Sequence, residues 1–216
     1  MFRSFGFDEF VLLLDGARWT LALTALAFAG GGALGLVLLV LRIAPLRALR
    51  WLALGWIQAI QGTPLLGLLF LIFFGLPLIG FDVSRWVAAT VAMSVYGSAF
   101  LAEIWRGAVE AIPVGQWEAA SSLGLPRVTQ LRLVILPQAL TIAIPPTVGF
   151  LVQLVKNTSL ASIIGLIELS RRAQLVNGAT FAPFIVYGVT AVLYFCLCFP
   201  LTRWSRALER ARAARR

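Results

Sequence analysis

The side chains able to do chemistry in this 216-residue chain are few. There is no histidine, so histidine metal sites and imidazole general bases are excluded. Cys196 and Cys198 lie two residues apart inside an apolar run. They project from different sides of a helix and read as small buried side chains rather than a metal pair or a disulfide. No GxxxxGK[ST] phosphate loop occurs, so the chain has no cradle of its own for ATP. No nucleophile stands beside a base in a pattern that supports a membrane enzyme, and nothing calls for a cofactor. The densest polar cluster is Lys156-Asn157-Thr158-Ser159, with Gln153 one turn earlier. Such groups can hydrogen-bond a small polar solute, or simply cap a helix and meet water. Glu103 and Arg106 are spaced i, i+3, which suits an ion pair on one helix face. A proton relay would need further titratable groups along the same stretch, and none is present.

The elements that hold these residues are apolar. Hydrophobic residues make up 60% of the chain and charged residues 12%, against about half and about a quarter in an average soluble domain. Five blocks are near the ~20 residues needed to cross a bilayer. They run over about 19–41, 51–76, 86–105, 134–155 and 184–201. The expected class is therefore all-α: a polytopic membrane protein with five transmembrane helices. Residues 1–17 hold Phe7, Phe10, Val11 and Leu14 at helical spacing among Asp8, Glu9 and Asp15, which predicts a separate amphipathic helix at the interface. Residues 18–206 form the membrane domain, with a loop over 106–133, and 207–216 a basic tail. Gly30, Gly31, Gly32 and Gly35 give the first span a small-residue surface for close packing.

The net charge of +9 does not indicate nucleic acid. Its arginines sit between apolar blocks and in the tail, where cytoplasmic loops of membrane proteins carry them. With the N-terminus outside, twelve arginines fall inside (Arg42, Arg47, Arg50, Arg106, Arg127, Arg132 and the six from Arg203 to Arg216). Five fall outside: Arg3, Arg18, Arg85, Arg171 and Arg172. That asymmetry predicts an outside N-terminus, a cytoplasmic C-terminus and an odd number of spans.

Two connections exceed what a turn requires, 106–133 and 157–183, and long loops tend to carry function. In the first, Pro113 starts a short helix over Gln116–Leu123 rich in Ala and Ser. Gly124 suits the left-handed residue that ends it, and Pro126 opens a second helix. A small-residue helix between two turns is a good plug for a groove in a partner protein, and equally an ordinary amphipathic hairpin. Pro145-Pro146 mid-way in the fourth block removes two backbone donors. The expectation is a break in that span, either a packing kink or a cavity wall.

A resemblance decides between the readings of the loop. Glu118-Ala119-Ala120, then Gly124, then Val134-Ile135-Leu136-Pro137 match the EAA loop of ABC importer permeases in spacing. Val134 stands where isoleucine is usual. Ala102-Glu103-Ile104-Trp105-Arg106-Gly107, Gly115-Gln116-Trp117, Leu136-Pro137-Gln138-Ala139, Lys156 to Ser162 and Gly62-Thr63-Pro64-Leu65 look like the polar amino acid permease subfamily. The similarity spans roughly residues 15–206. Gln61 stands where arginine is common, and Tyr96-Gly97-Ser98 replaces a more usual Asn-Ser-Gly-like stretch.

The resemblance implies a type I ABC importer permease fold in a bacterial inner membrane. It implies translocation of a polar or charged amino acid, or of an opine or other amino-acid derivative. The implied partners are a dimer of ATP-hydrolysing subunits, a second permease (the same chain or a paralogue) and an extracytoplasmic solute-binding protein. Gln116, Glu118, Ala119, Ala120 and Gly124 would form the coupling contact. The solute pathway is expected along Tyr96, Ser98, Pro145, Gly149, Gln153, Lys156, Asn157, Thr158 and Ser159, because an amino acid in low dielectric needs partners for both its charges.

Overall fold

The computed structural model describes residues 4–213. Arg3, Arg215 and Arg216, counted in the charge distribution, lie outside the described residues, as does the side chain of Arg212. The described residues form eight helices and no strand: α1 Phe7–Ile43, α2 Arg47–Gln61, α3 Leu65–Leu78, α4 Arg85–Glu110, α5 Val114–Ser122, α6 Arg127–Ile164, α7 Leu169–Thr180 and α8 Pro183–Ala213. Of these, α1, α4, α6 and α8 are each long and apolar enough to span a bilayer, and α2 with α3 forms a bent pair that can make a fifth span.

Packing centres on α4. Its small residues Ala88, Ala89 and Ala92 are fully buried with Met93, Leu101, Leu23 and Leu154. The glycines of α1 let the two backbones approach. A Cβ on Gly31 would lie 3.1 Å from the Ser94 carbonyl, and one on Gly35 3.2 Å from that of Ser98. Helix α6 packs between α4 and α8. Ser205 of α8 donates to the Pro145 carbonyl at 2.9 Å, and the Trp105 indole N–H of α4 donates to Thr147 at 3.0 Å.

Three expectations are corrected. The N-terminal segment is not a separate helix: from Phe7 it is the first turns of α1. Nothing between Asp15 and Trp19 breaks a helix, and the apolar face has a protein partner. Leu13 and Ala17 are buried with Leu169, Ala173, Val176 and Val186. Asp15 pairs with Arg172 at 2.7 Å. The second block is not one straight span, because α2 and α3 meet at 98°. Gly62 closes α2, its N–H reaching the Gln58 carbonyl at 2.9 Å. Pro64, with no N–H to give, starts α3. Finally, Pro145-Pro146 does not break α6, which runs as helix through both. The irregularity lies earlier, in a π-helical turn over Gln130–Ile135. That wider turn, just before Pro137, takes up the missing donor.

Candidate functional site: the α5 loop and the exposed face of α6

Helix α5 stands on a small apolar root. Trp117 packs on Val109, Ile112, Ile135 and Ala139, where α4 ends and α6 begins. Ala120 is buried, whereas Gln116, Glu118 and Ala119 face outward. Gln138 donates to Gln116 at 3.1 Å and to the Val134 carbonyl at 2.7 Å. Gly124 adopts φ +70, and its N–H closes the helix on the Ser121 carbonyl at 2.9 Å. Gln130 was not singled out in the sequence. It is buried, and its amide donates to Ser121 Oγ at 3.1 Å and to the Leu125 carbonyl at 2.7 Å. The turn is thereby fixed from inside, while Val114, Leu123 and Val128 are each at least 69% exposed around it. The loop thus presents a small-residue helix with an apolar rim and a single acid, Glu118.

Above this loop a chain of charges ties α1 to α4. Arg106 donates to Glu103 through Nη2 at 2.6 Å and Nε at 2.9 Å. It also pairs with Glu110. Arg42 of α1 reaches the other Glu103 oxygen at 3.4 Å.

The polar cluster divides when its burial is known. Gly149, Gln153 and Lys156 lie exposed on one face of α6, and Gln153 donates to the Asn157 side-chain oxygen at 3.2 Å. Beside them α8 contributes Thr202, Ser205, Arg206 and Glu209 to a cavity of about 320 Å³ that also includes Val152. Ser159 is half-buried and donates to the Lys156 carbonyl at 2.7 Å. Thr158 and Pro145 are turned inward. Thr158 is fully buried, bonded to the Val155 carbonyl at 2.7 Å, and the Pro145 carbonyl is occupied by Ser205.

Two α4 residues expected to face this wall do not. Ser98 is fully buried against α1 and bonds to the Val95 carbonyl at 2.7 Å. Tyr96 packs on Phe100, with ring centroids 4.6 Å apart, and on the inner-face residue Phe150 at 6.4 Å. The reason is helical phase, which puts both on sides of α4 that α1 and α6 cover.

Glu168 is a further polar site that the sequence did not reveal. It is fully buried at the N-cap of α7. Its carboxylate accepts from the backbone N–H groups of Arg171 at 2.8 Å and Ser170 at 2.9 Å. It also accepts from the hydroxyls of Tyr194 at 3.0 Å and Thr20 at 3.4 Å. Burial pushes the carboxyl above its ordinary value, and the backbone donors pull the other way. The only local signal is an acid just ahead of a helix. Thr20 and Tyr194 come from remote parts of the chain.

Comparison with known proteins adds the following. Residues 31–213 match the model of the family described as binding-protein-dependent transport system inner membrane component. A probable amino-acid ABC transporter permease of Bacillus subtilis (strain 168) is 36% identical over 203 residues, which is 94% of this chain and 90% of that one. A glutamine transport system permease of Escherichia coli (strain K12) is 36% identical over 201 residues, 92% of each chain. A crystal structure of an amino acid ABC transporter with histidines superposes with a TM-score of 0.89 at 31% identity, over 97% of this chain and 100% of that one.

Proposed function

Because the chain belongs to the family of binding-protein-dependent transport system inner membrane components, we propose that the exposed face of α6 guides a polar amino acid across the membrane and that α5 ties this movement to ATP hydrolysis in a separate subunit. The chain is the membrane-spanning permease of an amino-acid ABC importer, a transport component rather than an enzyme.

One observation carries the assignment of the pathway. Gly149, Gln153 and Lys156 stay exposed on α6, bordered across an open cavity by Thr202, Ser205, Arg206 and Glu209 of α8, although α6 is long and apolar enough to span the bilayer. Polar and charged side chains at such depth are costly against lipid and face bundle interiors or watery cavities. A second permease placed against this face would enclose it. Lys156 and Asn157 would then meet the solute carboxylate, and the open lone pairs of Gln153 the ammonium. The α5 helix would seat in a cleft of the ATP-hydrolysing subunit, with Glu118 orienting the contact and the apolar rim burying its edge. The orientation that fits is N-terminus outside and C-terminus in the cytoplasm. It puts α5 on the ATP side and α7 on the side of the solute-binding protein.

The test is uptake by the complete importer in liposomes, with its binding protein present. Gln153→Ala and Asn157→Ala, made singly, are expected to raise the apparent KM for the solute several-fold and leave basal ATPase activity unchanged. Unaltered affinity and selectivity for every amino acid in an intact complex would remove the pathway from this face.

A further inference from the structure

We infer that the outward stripe at the C-terminal end of α8 is a binding site for the phosphodiester headgroup of an anionic phospholipid. Val192, Phe195 and Phe199 follow one another at spacings of three and four, and Arg203, Arg206 and Arg210 continue the same row. At 3.6 residues per turn these six share one face. The apolar members are 60%, 60% and 43% exposed, and the three arginines are exposed as well. The stripe thus turns from acyl-chain surface to cation surface along one helix, the profile of an amphiphile.

The transition is also a recess. Phe199, Arg203, Arg206, Ala207 and Arg210 enclose about 390 Å³. The Arg203 guanidinium lies 5.7 Å from the Phe199 ring centroid, so this cation is drawn back toward the apolar segment. Arg203, Arg206 and Arg210 make no ion pair among the described residues. The three arginines cover about 10 Å of helix axis, which matches a headgroup layer of roughly 5–8 Å with one cation beyond it. Planar guanidinium groups take phosphate oxygens in pairs.

The direction of the stripe argues against a protein occupant from the ATP-hydrolysing side. Ser205, which bonds to α6, and Leu208, which lines the groove beside Ile112 and Pro137 at the root of α5, lie on the opposite side of α8. The arginines therefore point away from the coupling loop. The inference rests on Arg203 and Arg210, because Arg206 also borders the cavity beside Gly149, Gln153 and Lys156, and it holds whichever solute is carried.

The experiment counts lipid retained by the purified full chain. After delipidation in neutral detergent, the chain is titrated with phosphatidylglycerol or phosphatidylcholine of equal chain length, and bound lipid is read by native mass spectrometry. The wild type is expected to hold phosphatidylglycerol preferentially. Arg203→Gln with Arg210→Gln is expected to weaken that binding about thirtyfold, since each cation near an anionic surface contributes about 1 kcal/mol. Phosphatidylcholine binding should not change. Arg203→Lys with Arg210→Lys keeps the charge and loses the paired geometry, so it should fall between and control for folding. Equal retention of the two lipids by the wild type overturns the proposal. So does full phosphatidylglycerol retention by the glutamine variant. Displacement of the lipid by inorganic phosphate at equal concentration would mean a free-phosphate site. If the glutamine variant, coexpressed with the ATP-hydrolysing subunit, fails to copurify with it while lipid binding is unchanged, the stripe is a protein surface; each result also overturns the proposal.

Discussion

Glu168 shows how much one buried side chain can decide. Three donors converge on Oε2 and one on Oε1, from α1, α7 and α8. The Leu169 N–H adds a further tie to Thr20 at 3.2 Å. A carboxylate can accept all four donors at once, but a carboxamide cannot. In Glu168→Gln, whichever way the amide is turned, an NH2 group faces a donor that it cannot satisfy. The expected loss is about 2 kcal/mol, the cost of leaving buried donors unmade. It should appear as a lower thermal unfolding midpoint of the detergent-solubilised chain. Tyr194→Phe removes one donor to the carboxylate, together with the bond between its hydroxyl and Ser170 Oγ at 2.9 Å, and should cost about 1 kcal/mol. A midpoint for Glu168→Gln equal to that of the wild type would show that the carboxylate does not hold these helices together.

At the scale of the element, α5 is a short helix made definite by its ends. Trp117 and Ala120 fix its inner face to the root of α4 and α6, and Gln130 fixes the turn that follows. Gly124 at φ +70 sits in open space. Substitution there meets no clash, and its whole cost is backbone strain of about 1–2 kcal/mol for a side chain held left-handed. Gly124→Val should therefore insert normally in the membrane, yet displace the loop and reduce copurification of the ATP-hydrolysing subunit. Gly124→Asn should do less harm, since asparagine tolerates this conformation better. Unchanged transport and ATPase activity in the valine variant would separate this turn from coupling. The α2–α3 pair has the opposite character. Its 98° bend arises from Gly62 and Pro64, but the direction it takes depends on the neighbours. Ala53, Ile57 and Ile60 of α2 are buried with Leu68 of α3, Leu38 of α1 and Ala99 and Ala102 of α4.

For the whole molecule, the count of spans sets the position of the ends. Four spans return the chain to its starting side, and five, with the bent pair as one, do not. Cysteines placed at Ser4 and Ala213, in a chain with Cys196 and Cys198 replaced, are expected to react with an impermeant thiol reagent from opposite sides of the membrane. Labelling from one side alone would make α2–α3 a re-entrant pair. The same scale explains the surface. Leu36, Val37, Val40, Leu52, Leu71 and Phe184 are all more than 50% exposed, which is costly in water and ordinary against lipid or a second permease. Neither the arginine asymmetry nor the α5 loop requires that partner to be an identical copy.

Legible in the sequence alone were the all-helical membrane class, the place of the short-helix loop between α4 and α6, and the left-handed turn at Gly124. Each of these is a local property. Apolar length, a glycine's freedom and a proline's missing donor are carried by the residues concerned and survive any packing. Tertiary structure decided which polar residues share a surface. Gln153 and Thr158 differ little as local signals, yet the first is exposed and the second fully buried, because α8 and α4 cover one side of α6 and leave the other open. Ser98 is turned away from that open face in the same way, buried where α1 approaches. The Pro145-Pro146 pair misled for a related reason. The missing N–H groups free only the carbonyls of Thr141 and Ile142 one turn earlier, which a membrane helix can tolerate without breaking, and Ser205, sixty residues away, ties the Pro145 carbonyl to α8. Glu168 was silent for the same cause, since Thr20 lies 148 residues from it along the chain, and no local pattern encodes a contact of that range.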